Sequence, residues 1–256
     1  MSHLHTPMYF FLSNLSLSDL LLSTDIIPNM LHIMLAEESS IPVTNCIFQY
    51  YVFGSLAATE CLLLTMMSYD RYLAICNPLR YSSIMDIHLC LGLIVFSWIV
   101  GFLPTLPVAI CVYKLKFCSP NIDHFFCDLA PFLELACSDT SMAHLLALVF
   151  SVFVTFCPFL CIIVSYAFII YRILRIHSDT RQKTFSTCSS HLTVVSMYYG
   201  SLIIIYVAPS KERSVNLKKF LSLLYTAVTP LLNPIIYSLK NQEMSKAFGK
   251  ISTMFS

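Results

Sequence analysis

Charged side chains are scarce in this sequence. They make up 11% of the 256 residues, whereas 57% of the residues are hydrophobic. A soluble domain carries about 25% charged residues. The scarcity excludes an ordinary soluble protein and indicates a chain that lies largely within a membrane.

Sequence signatures of catalysis are also absent. The chain contains no His-Glu-x-x-His metal motif, no Gly-x-Ser-x-Gly nucleophile motif and no phosphate-binding loop. We therefore expect no enzymatic activity and no organic cofactor.

Neither an excess of positive charge nor an internal repeat is apparent. A net charge of +1, with Lys and Arg spread over short loops, gives no reason to expect nucleic-acid binding. Transporters often contain repeats around a polar site at mid-membrane depth. Only Asp19 and Glu60 resemble such a site here, so a transporter is the weaker alternative. The start of the chain, Met-Ser-His-Leu-His-Thr-Pro, lacks the features of a cleavable signal peptide, and we expect none.

Long apolar runs are what the sequence does contain. Runs long enough to cross about 30 Å of hydrocarbon are placed at residues 7–35, 46–75, 89–110, 143–173, 185–207 and 220–239. An amphipathic tail over 241–256 suits the membrane interface. The sequence thus predicts an all-α fold, a polytopic membrane helix bundle with six spans, as one domain over residues 1–256.

The second span ends in a charged pair, Asp70 and Arg71. An arginine at the bilayer centre costs about 3 kcal/mol on insertion scales, so the pair marks a border of the membrane. Nine Lys and Arg residues lie on this side of the predicted spans against six on the other, which indicates that it is the inner border. Arg71 keeps its proton and needs a partner, for which Asp70 is the nearest candidate. A pair that exchanges partners can form a two-state switch. The alternative is a helix that simply faces the bundle interior and ends in a polar cap.

Two carboxylates lie inside predicted spans. Asp19 shares a helical face with Ser16 and Ser23, and Glu60 lies at a similar depth on the next span. Two facing carboxylates cannot both stay ionised in a low dielectric unless a cation or a proton lies between them. Either a cation bridges them, or one is protonated and hydrogen-bonded to the serine face.

Four cysteines fall on the predicted outer side of the membrane, where disulfides persist: Cys46, Cys118, Cys127 and Cys137. The sequence alone leaves three pairings of these cysteines open. His124 and Cys127 have the spacing of metal ligands, but no second pair completes a tetrahedral zinc site. Disulfides are the favoured interpretation.

Prolines predict local irregularity in two spans. Pro158 frees a backbone carbonyl one turn earlier and permits a bulge. Pro230 and Pro234 remove two successive helical bonds around Asn233 and Tyr237. Each proline alone is compatible with an inert kink, whereas their combination with the charged pair favours a switch.

Four motifs occur in order along the chain: residues 4–16 (LHTPMYFFLSNLS), 67–81 (MSYDRYLAICNPLRY), 183–191 (KTFSTCSSH) and 230–241 (PLLNPIIYSLKN). Together they resemble the motifs of olfactory receptors, a branch of the rhodopsin-like G-protein-coupled receptors, over essentially the whole chain. The resemblance implies a seven-helix receptor fold at the plasma membrane. It also implies binding of small volatile odorants within the bundle and activation of an olfactory stimulatory heterotrimeric G protein, which raises cAMP.

The resemblance further assigns roles to individual residues. It implies the disulfides Cys46–Cys127 and Cys118–Cys137, and a sodium-sized cation site lined by Asp19 and Glu60. Coupling and switching would fall to the residues that match the family motifs: Asp70, Arg71, Tyr72, Tyr166, Asn233, Pro234 and Tyr237.

Ligand contacts are predicted one to three turns below the outer surface, on the faces assigned to the bundle interior. They are Phe53, Ala57, Ala58, Phe150, Ser151, Val154, Tyr199, Leu202, Tyr206 and Thr226. Apolar walls with a few hydroxyls suit a site that binds small molecules by burial and one or two hydrogen bonds. The alternative is ordinary packing between helices.

The chain starts in the inner loop that follows the first helix of the family, so we expect six of the seven helices. The sequence is then either one part of a longer receptor or a truncated product. In the second case the alternative function is a truncated receptor that is retained inside the cell and does not signal.

Overall fold

The computed structural model describes residues 6–35, 41–122, 127–175 and 178–206. In chain order its elements are α1 (Pro7–Leu35), β1 (Ile41–Pro42), α2 (Val43–Cys76), α3 (Pro78–Ile84), α4 (Ile87–Phe102), α5 (Thr105–Tyr113), β2 (Asn121–Ile122), α6 (Leu129–Leu135), α7 (Ser141–Ser151), a π-helical turn (Val152–Phe156), α8 (Cys157–Leu174) and α9 (Ser178–Tyr206). The predicted all-α helix bundle is confirmed, with one pair of two-residue strands added to it.

Within these residues, four helical stretches are long and apolar enough to cross a membrane: Pro7–Ile33, Val43–Cys76, Ile87–Tyr113 and Ser141–Leu174. They lie where the first four spans are predicted. The predicted span 185–207 falls largely within α9, whereas 220–239 and the tail 241–256 lie outside the described residues. The count of six spans stays a prediction.

Helix α2 is the axis of the bundle. It buries 67% of its most apolar stretch, whereas each of the other three spanning stretches buries 33% or less. It packs against α1, α4, α5, α8 and α9. A helix so shielded from lipid can carry polar side chains such as Glu60 and Ser68 in its interior-facing surface.

Helix α4 crosses α2 closely at Gly101. A methyl group added there would lie 2.9 Å from the carbonyl oxygen of Ser55, closer than packed atoms allow. Small residues at such crossings let helices approach and gain van der Waals contact within lipid. Three residues earlier in α4, the indole nitrogen of Trp98 donates to the Asn14 side chain at 3.1 Å and joins α4 to α1.

The span predicted over 89–110 lies within the stretch Ile87–Tyr113, which two consecutive helices form. Helix α4 ends at Phe102 and α5 begins at Thr105. Pro104 lies at the break, and it lacks the N–H group that a continuous helix would require.

The bulge predicted beside Pro158 is present. Val152–Phe156 form a single π-helical turn between α7 and α8, and the N–H of Cys157 donates to the carbonyl of Val152, five residues earlier. Pro158 cannot donate to the carbonyl of Val154, which favours a wider turn here. The turn changes which side chains of this span point toward α2 and α9.

The loop after α5 is fastened by two disulfides. Both pairings implied by the resemblance are present, Cys46–Cys127 and Cys118–Cys137. Because Cys127 is bonded to Cys46, it is not a zinc ligand in this structure, and His124 lies outside the described residues. The described residues also contain no group of three or more His, Cys, Asp or Glu side chains that could hold a metal ion.

Gln49 holds the same loop from the bundle side. Its side chain is 5% exposed. Its Oε1 accepts from the backbone N–H of Cys127 at 3.2 Å, and its Nε2 donates to the Asp25 carbonyl at 2.8 Å. The short ladder that pairs Ile41 with Ile122 adds a second connection. The loop is thereby held against the outer ends of α1 and α2.

Candidate functional site

A cavity of about 610 Å³ lies between α2, α7, the π-helical turn, α8 and α9. Small-molecule sites commonly measure about 300–1,000 Å³. Its lining is mostly apolar and consists of Tyr50, Phe53, Gly54, Ala57, Ala58, Cys61, Asp128, Leu129, Ala147, Phe150, Ser151, Thr155, Phe156, Phe159, Tyr198, Tyr199, Leu202 and Ile203. Asp128 and Leu129, next to the disulfide-bonded Cys127, belong to the loop that covers the bundle.

The structure brings most of the predicted ligand contacts together around this cavity. The residues that line it are Phe53, Ala57, Ala58, Phe150, Ser151, Tyr199 and Leu202. Val154 is 3% exposed but does not belong to the lining. The Tyr206 side chain and Thr226 lie outside the described residues. That these residues contact a ligand stays a prediction.

Tyr198 forms the floor of the cavity, and the sequence did not predict it. Its hydroxyl donates to the carbonyl of Ala57 at 2.8 Å and accepts from the thiol of Cys61 at 3.3 Å. Its ring packs edge-to-face on Tyr199, whose own ring lies 4.5 Å from that of Phe159. These contacts join α9 to α2 and α8 at the bottom of the cavity. The adjacent tyrosines in the sequence were the signal from which a role of Tyr198 at the cavity could have been predicted.

His191 joins α9 to α2 two helical turns farther in. It is fully buried, with Nε2 at 3.2 Å from the Leu64 carbonyl oxygen and Nδ1 at 2.6 Å from the Tyr166 hydroxyl. A carbonyl only accepts, so Nε2 donates, and Nδ1 of the neutral ring accepts from Tyr166. The predicted switch residue Tyr166 is thereby linked to α2 through a histidine to which the sequence assigned no role.

Asp70 and Arg71 form the ion pair that the sequence suggests. Both Nη2 and Nε of Arg71 donate to Oδ2 of Asp70, at 2.6 and 3.0 Å. The other carboxylate oxygen accepts from the hydroxyl of Tyr81 in α3 at 2.7 Å. Burial and the negative charge of Asp70 raise the pKa of Tyr81, so this hydroxyl stays a donor. Tyr81 ends the same sequence motif, yet it was not predicted as a partner.

Of the remaining predicted switch residues, the structure describes Tyr72 alone. Tyr72 packs edge-to-face on Phe168 of α8, with ring centres 6.1 Å apart. Asn233, Pro234 and Tyr237 lie outside the described residues.

Asp19 and Glu60 meet in the bundle core. They are 3% and 1% exposed, and the Glu60 carboxyl lies within reach of the side chains of Asp19 and Ser18. The Ser18 hydroxyl donates to the Leu56 carbonyl at 3.4 Å. Oε1 of Glu60 has no hydrogen-bond partner among the described residues. Two carboxyls this close share a buried site only with a proton or a cation between them. Ser18, rather than the predicted Ser16 or Ser23, supplies the nearby hydroxyl.

Comparison with known proteins identifies the family. The sequence profile described as olfactory receptor matches residues 1–255. Olfactory receptor 11A1 of Homo sapiens is 49% identical over 250 residues, which cover 97% of this chain and 79% of that protein. Olfactory receptor 5G9 of Mus musculus is 48% identical over 251 residues, which cover 97% and 80%. Olfactory receptor-like protein OLF1 of Canis lupus familiaris is 47% identical over 247 residues, which cover 96% and 79%. The chain belongs to the olfactory receptor family of the rhodopsin-like G-protein-coupled receptors.

Proposed function

We propose that a small volatile odorant binds in the cavity beside Tyr198 and that the receptor, at the plasma membrane, then activates a stimulatory heterotrimeric G protein, which raises cAMP. Family membership supports the receptor class, and the size and apolar lining of the cavity support a small apolar ligand.

The main observation in support of the proposal is the register of α2 and α9, that is, which residues of the two helices lie opposite each other. Ala57 and Leu64 are seven residues apart on α2, and they accept hydrogen bonds from Tyr198 and His191, which are seven residues apart on α9. Seven residues correspond to two helical turns and about 10.5 Å. One bond lies at the cavity and the other lies two turns nearer the inner end. A ligand that displaces Tyr198 therefore acts on the helix pair that also holds His191.

The inner bond leads to the charged cluster. Arg71 lies within electrostatic reach of Tyr166, His191 and Cys188 while it is paired with Asp70. If α9 moves, the environment of Arg71 changes, because two of these neighbours lie on that helix. Exchange of Asp70 for another partner would then expose the guanidinium to the G protein, which is the two-state behaviour expected of such a pair.

The carboxyl pair in the core fits a sodium ion. Glu60 offers a buried oxygen without a partner among the described residues, and Ser18 and Asp19 supply further oxygen atoms beside it. Oxygen donors of this kind suit hard cations. When bound, the ion would supply the positive charge that lets both carboxyls stay ionised. Ser18, Asp19 and Glu60 would hold it.

The test is a cAMP assay on cells that express the epitope-tagged chain together with an olfactory stimulatory G protein. We expect a panel of volatile compounds to raise cAMP in surface-labelled cells, and this response should change when leucine replaces Ala57 or Ala58. Surface label in the same cells also tests the alternative of a retained product. Surface-positive cells that respond to no compound would contradict the proposal.

A further inference from the structure

We propose that the inner ends of α2 and α8 form a binding site for one anionic phospholipid of the inner leaflet. Arg172 and Arg175 bind its phosphate, and the rings of Tyr69, Tyr72 and Phe168 contact its acyl chains. None of these residues lines the cavity beside Tyr198. The inference therefore does not depend on odorant binding.

Helix α2 is open to the membrane at one position near its inner end. Of residues 49–76, all of which the structure describes, Tyr69 alone is exposed, with 39% of its surface accessible. Helices α4 and α8 both pack against α2, but within the described ranges they make little contact with each other. Lipid can therefore reach α2 at Tyr69, although this helix is elsewhere shielded from the membrane.

Three aromatic rings connect this position to α8. The ring of Tyr69 stacks on that of Tyr72 with centres 6.5 Å apart, and Tyr72 packs edge-to-face on Phe168 with centres 6.1 Å apart. Phe168, at the other end of the row, is 54% exposed. Tyrosine and tryptophan rings are common at the membrane interface, where one side contacts lipid tails and the other contacts headgroups. The row thus offers a rigid apolar surface with an exposed ring at each end.

Arg172 adds a positive charge beside the row. It lies four residues after Phe168, which is about one turn nearer the inner end of α8. It is exposed, and it lies within electrostatic reach of Cys76, the last residue of α2. The charge is therefore located where the inner ends of the two helices approach each other.

Arg175 adds a second charge in the same turn. Its guanidinium carbon lies 4.3 Å from the centre of the Tyr171 ring, which holds the side chain along the surface of the helix. Among the described residues, neither Arg175 nor Arg172 forms an ion pair with a carboxylate. A guanidinium keeps its proton and binds phosphate through paired N–H donors. Two such groups without a carboxylate partner are suited to one phosphodiester.

The membrane, rather than a soluble phosphate, supplies the ligand. Phe168 and Tyr69 belong to the stretches Ser141–Leu174 and Val43–Cys76, which are long and apolar enough to cross the bilayer. Their exposed rings therefore face acyl chains, while the long arginine side chains reach the headgroup level. Anionic lipids are concentrated in the cytoplasmic leaflet, and basic sites between helices on that side bind their headgroups.

The test is native mass spectrometry of the detergent-purified receptor with added lipid. Phosphatidylserine is compared with phosphatidylcholine that has the same two oleoyl chains. We expect one phosphatidylserine molecule to bind at least about tenfold more tightly, because the net negative charge of its headgroup complements two arginines. Glycerophosphoserine, which has the same headgroup without acyl chains, should not displace it even in about hundredfold excess. No odorant enters the measurement, so its failure is distinguishable from failure of the proposed function.

Arg172→Gln combined with Arg175→Gln should remove the preference for phosphatidylserine. Because both side chains are exposed, the thermal midpoint without lipid should stay that of the parent. Lys114→Gln combined with Lys116→Gln is the matched control, because it removes two exposed positive charges that follow α5 on the outer side of the bundle. The control should keep the preference.

The aromatic row is tested separately. Phe168→Ala should weaken both lipids alike, by about two- to fivefold, because it removes apolar contact and leaves the charges in place. Phe153→Ala is the matched control. It removes an exposed ring of the same span, in the π-helical turn roughly 22 Å nearer the outer end, and should change neither affinity.

Equal binding of the two lipids by the parent receptor would overturn the inference whatever the variants do. A preference that survives in the arginine variant, or that the lysine control also loses, would do the same. Displacement by glycerophosphoserine would show binding of a headgroup alone, and unchanged affinities in Phe168→Ala would show that the rings make no contact. Either result would contradict a phospholipid site at this place.

Discussion

The Tyr166 hydroxyl lies 2.6 Å from Nδ1 of His191, at a buried contact between α8 and α9. Because the other ring nitrogen donates to the Leu64 carbonyl, one imidazole joins three helices. A buried polar group left without its partner costs about 1–3 kcal/mol. The relative position of α2, α8 and α9 therefore depends on this side chain.

Removing either partner should lower stability, and removing both should cost less than the sum. We expect Tyr166→Phe and His191→Phe each to lower the thermal midpoint of the detergent-solubilised receptor by about 2–4 °C per kcal/mol lost. The two effects should not add, since both substitutions remove the same bond. Tyr171→Phe, on the exposed side of α8, is the control. Strict additivity would show that the two residues are not coupled.

Arg71→Ala should abolish odorant-evoked cAMP while surface label stays at the level of the parent. Arg71 is the permanently charged partner of Asp70 at the inner border, and without it the guanidinium that would contact the G protein is lost. Arg71→Lys keeps the charge but not the planar pair of donors that now contacts one oxygen, so we expect a partial response. An unchanged cAMP response in Arg71→Ala would rule out its role in coupling.

Leucine at Ala57 or Ala58 should alter which odorants are active. Both residues line the cavity, and the added carbon atoms would occupy space that a ligand needs. We expect larger ligands to lose potency first, by about tenfold or more, as is typical when a packed site is overfilled by one to a few kcal/mol. Ala167→Leu, which enlarges an exposed residue of α8, is the matched control. If Ala57→Leu and Ala58→Leu both keep the parent response profile, as the control does, the ligand binds elsewhere.

Gly101→Ala should destabilise the bundle, whereas Gly92→Ala in the same helix should not. A methyl group at Gly101 meets the Ser55 carbonyl, but nothing lies within 4 Å of one at Gly92. Overpacking of this kind costs about 1–3 kcal/mol. Surface label and the thermal midpoint in detergent both report the loss. Equal behaviour of the two variants would contradict the close crossing of α2 and α4.

The sequence predicted the features that depend on a particular type of side chain. Apolar runs located the spanning helices, Pro158 located the bulge, and Asp70 with Arg71 located the inner charged pair. Membership in a receptor family also confirms that the chain is not an enzyme. Each of these features depends on a residue type or a spacing that has few alternative explanations.

The contacts between α2 and α9 could not be predicted in the same way. Tyr198 and His191 donate to backbone carbonyls, and every residue of a helix has such a carbonyl. The relative rotation and register of the two helices determine that the carbonyls of Ala57 and Leu64 are the acceptors. Neither the rotation nor the register can be predicted from local sequence. The same limit applies to Gln49, whose partners are a carbonyl and the Asn29 side chain of α1 and an N–H of the loop.

Ala57 has two separate roles, because its methyl group lines the cavity and its carbonyl accepts from Tyr198. A substitution at this position changes the methyl group but leaves the carbonyl in place, and the same holds for Leu64 and its bond to His191. We therefore expect that gene duplication followed by divergence along this face of α2 can produce receptors with new odorant preferences. Such descendants would inherit the connection to α9 unchanged.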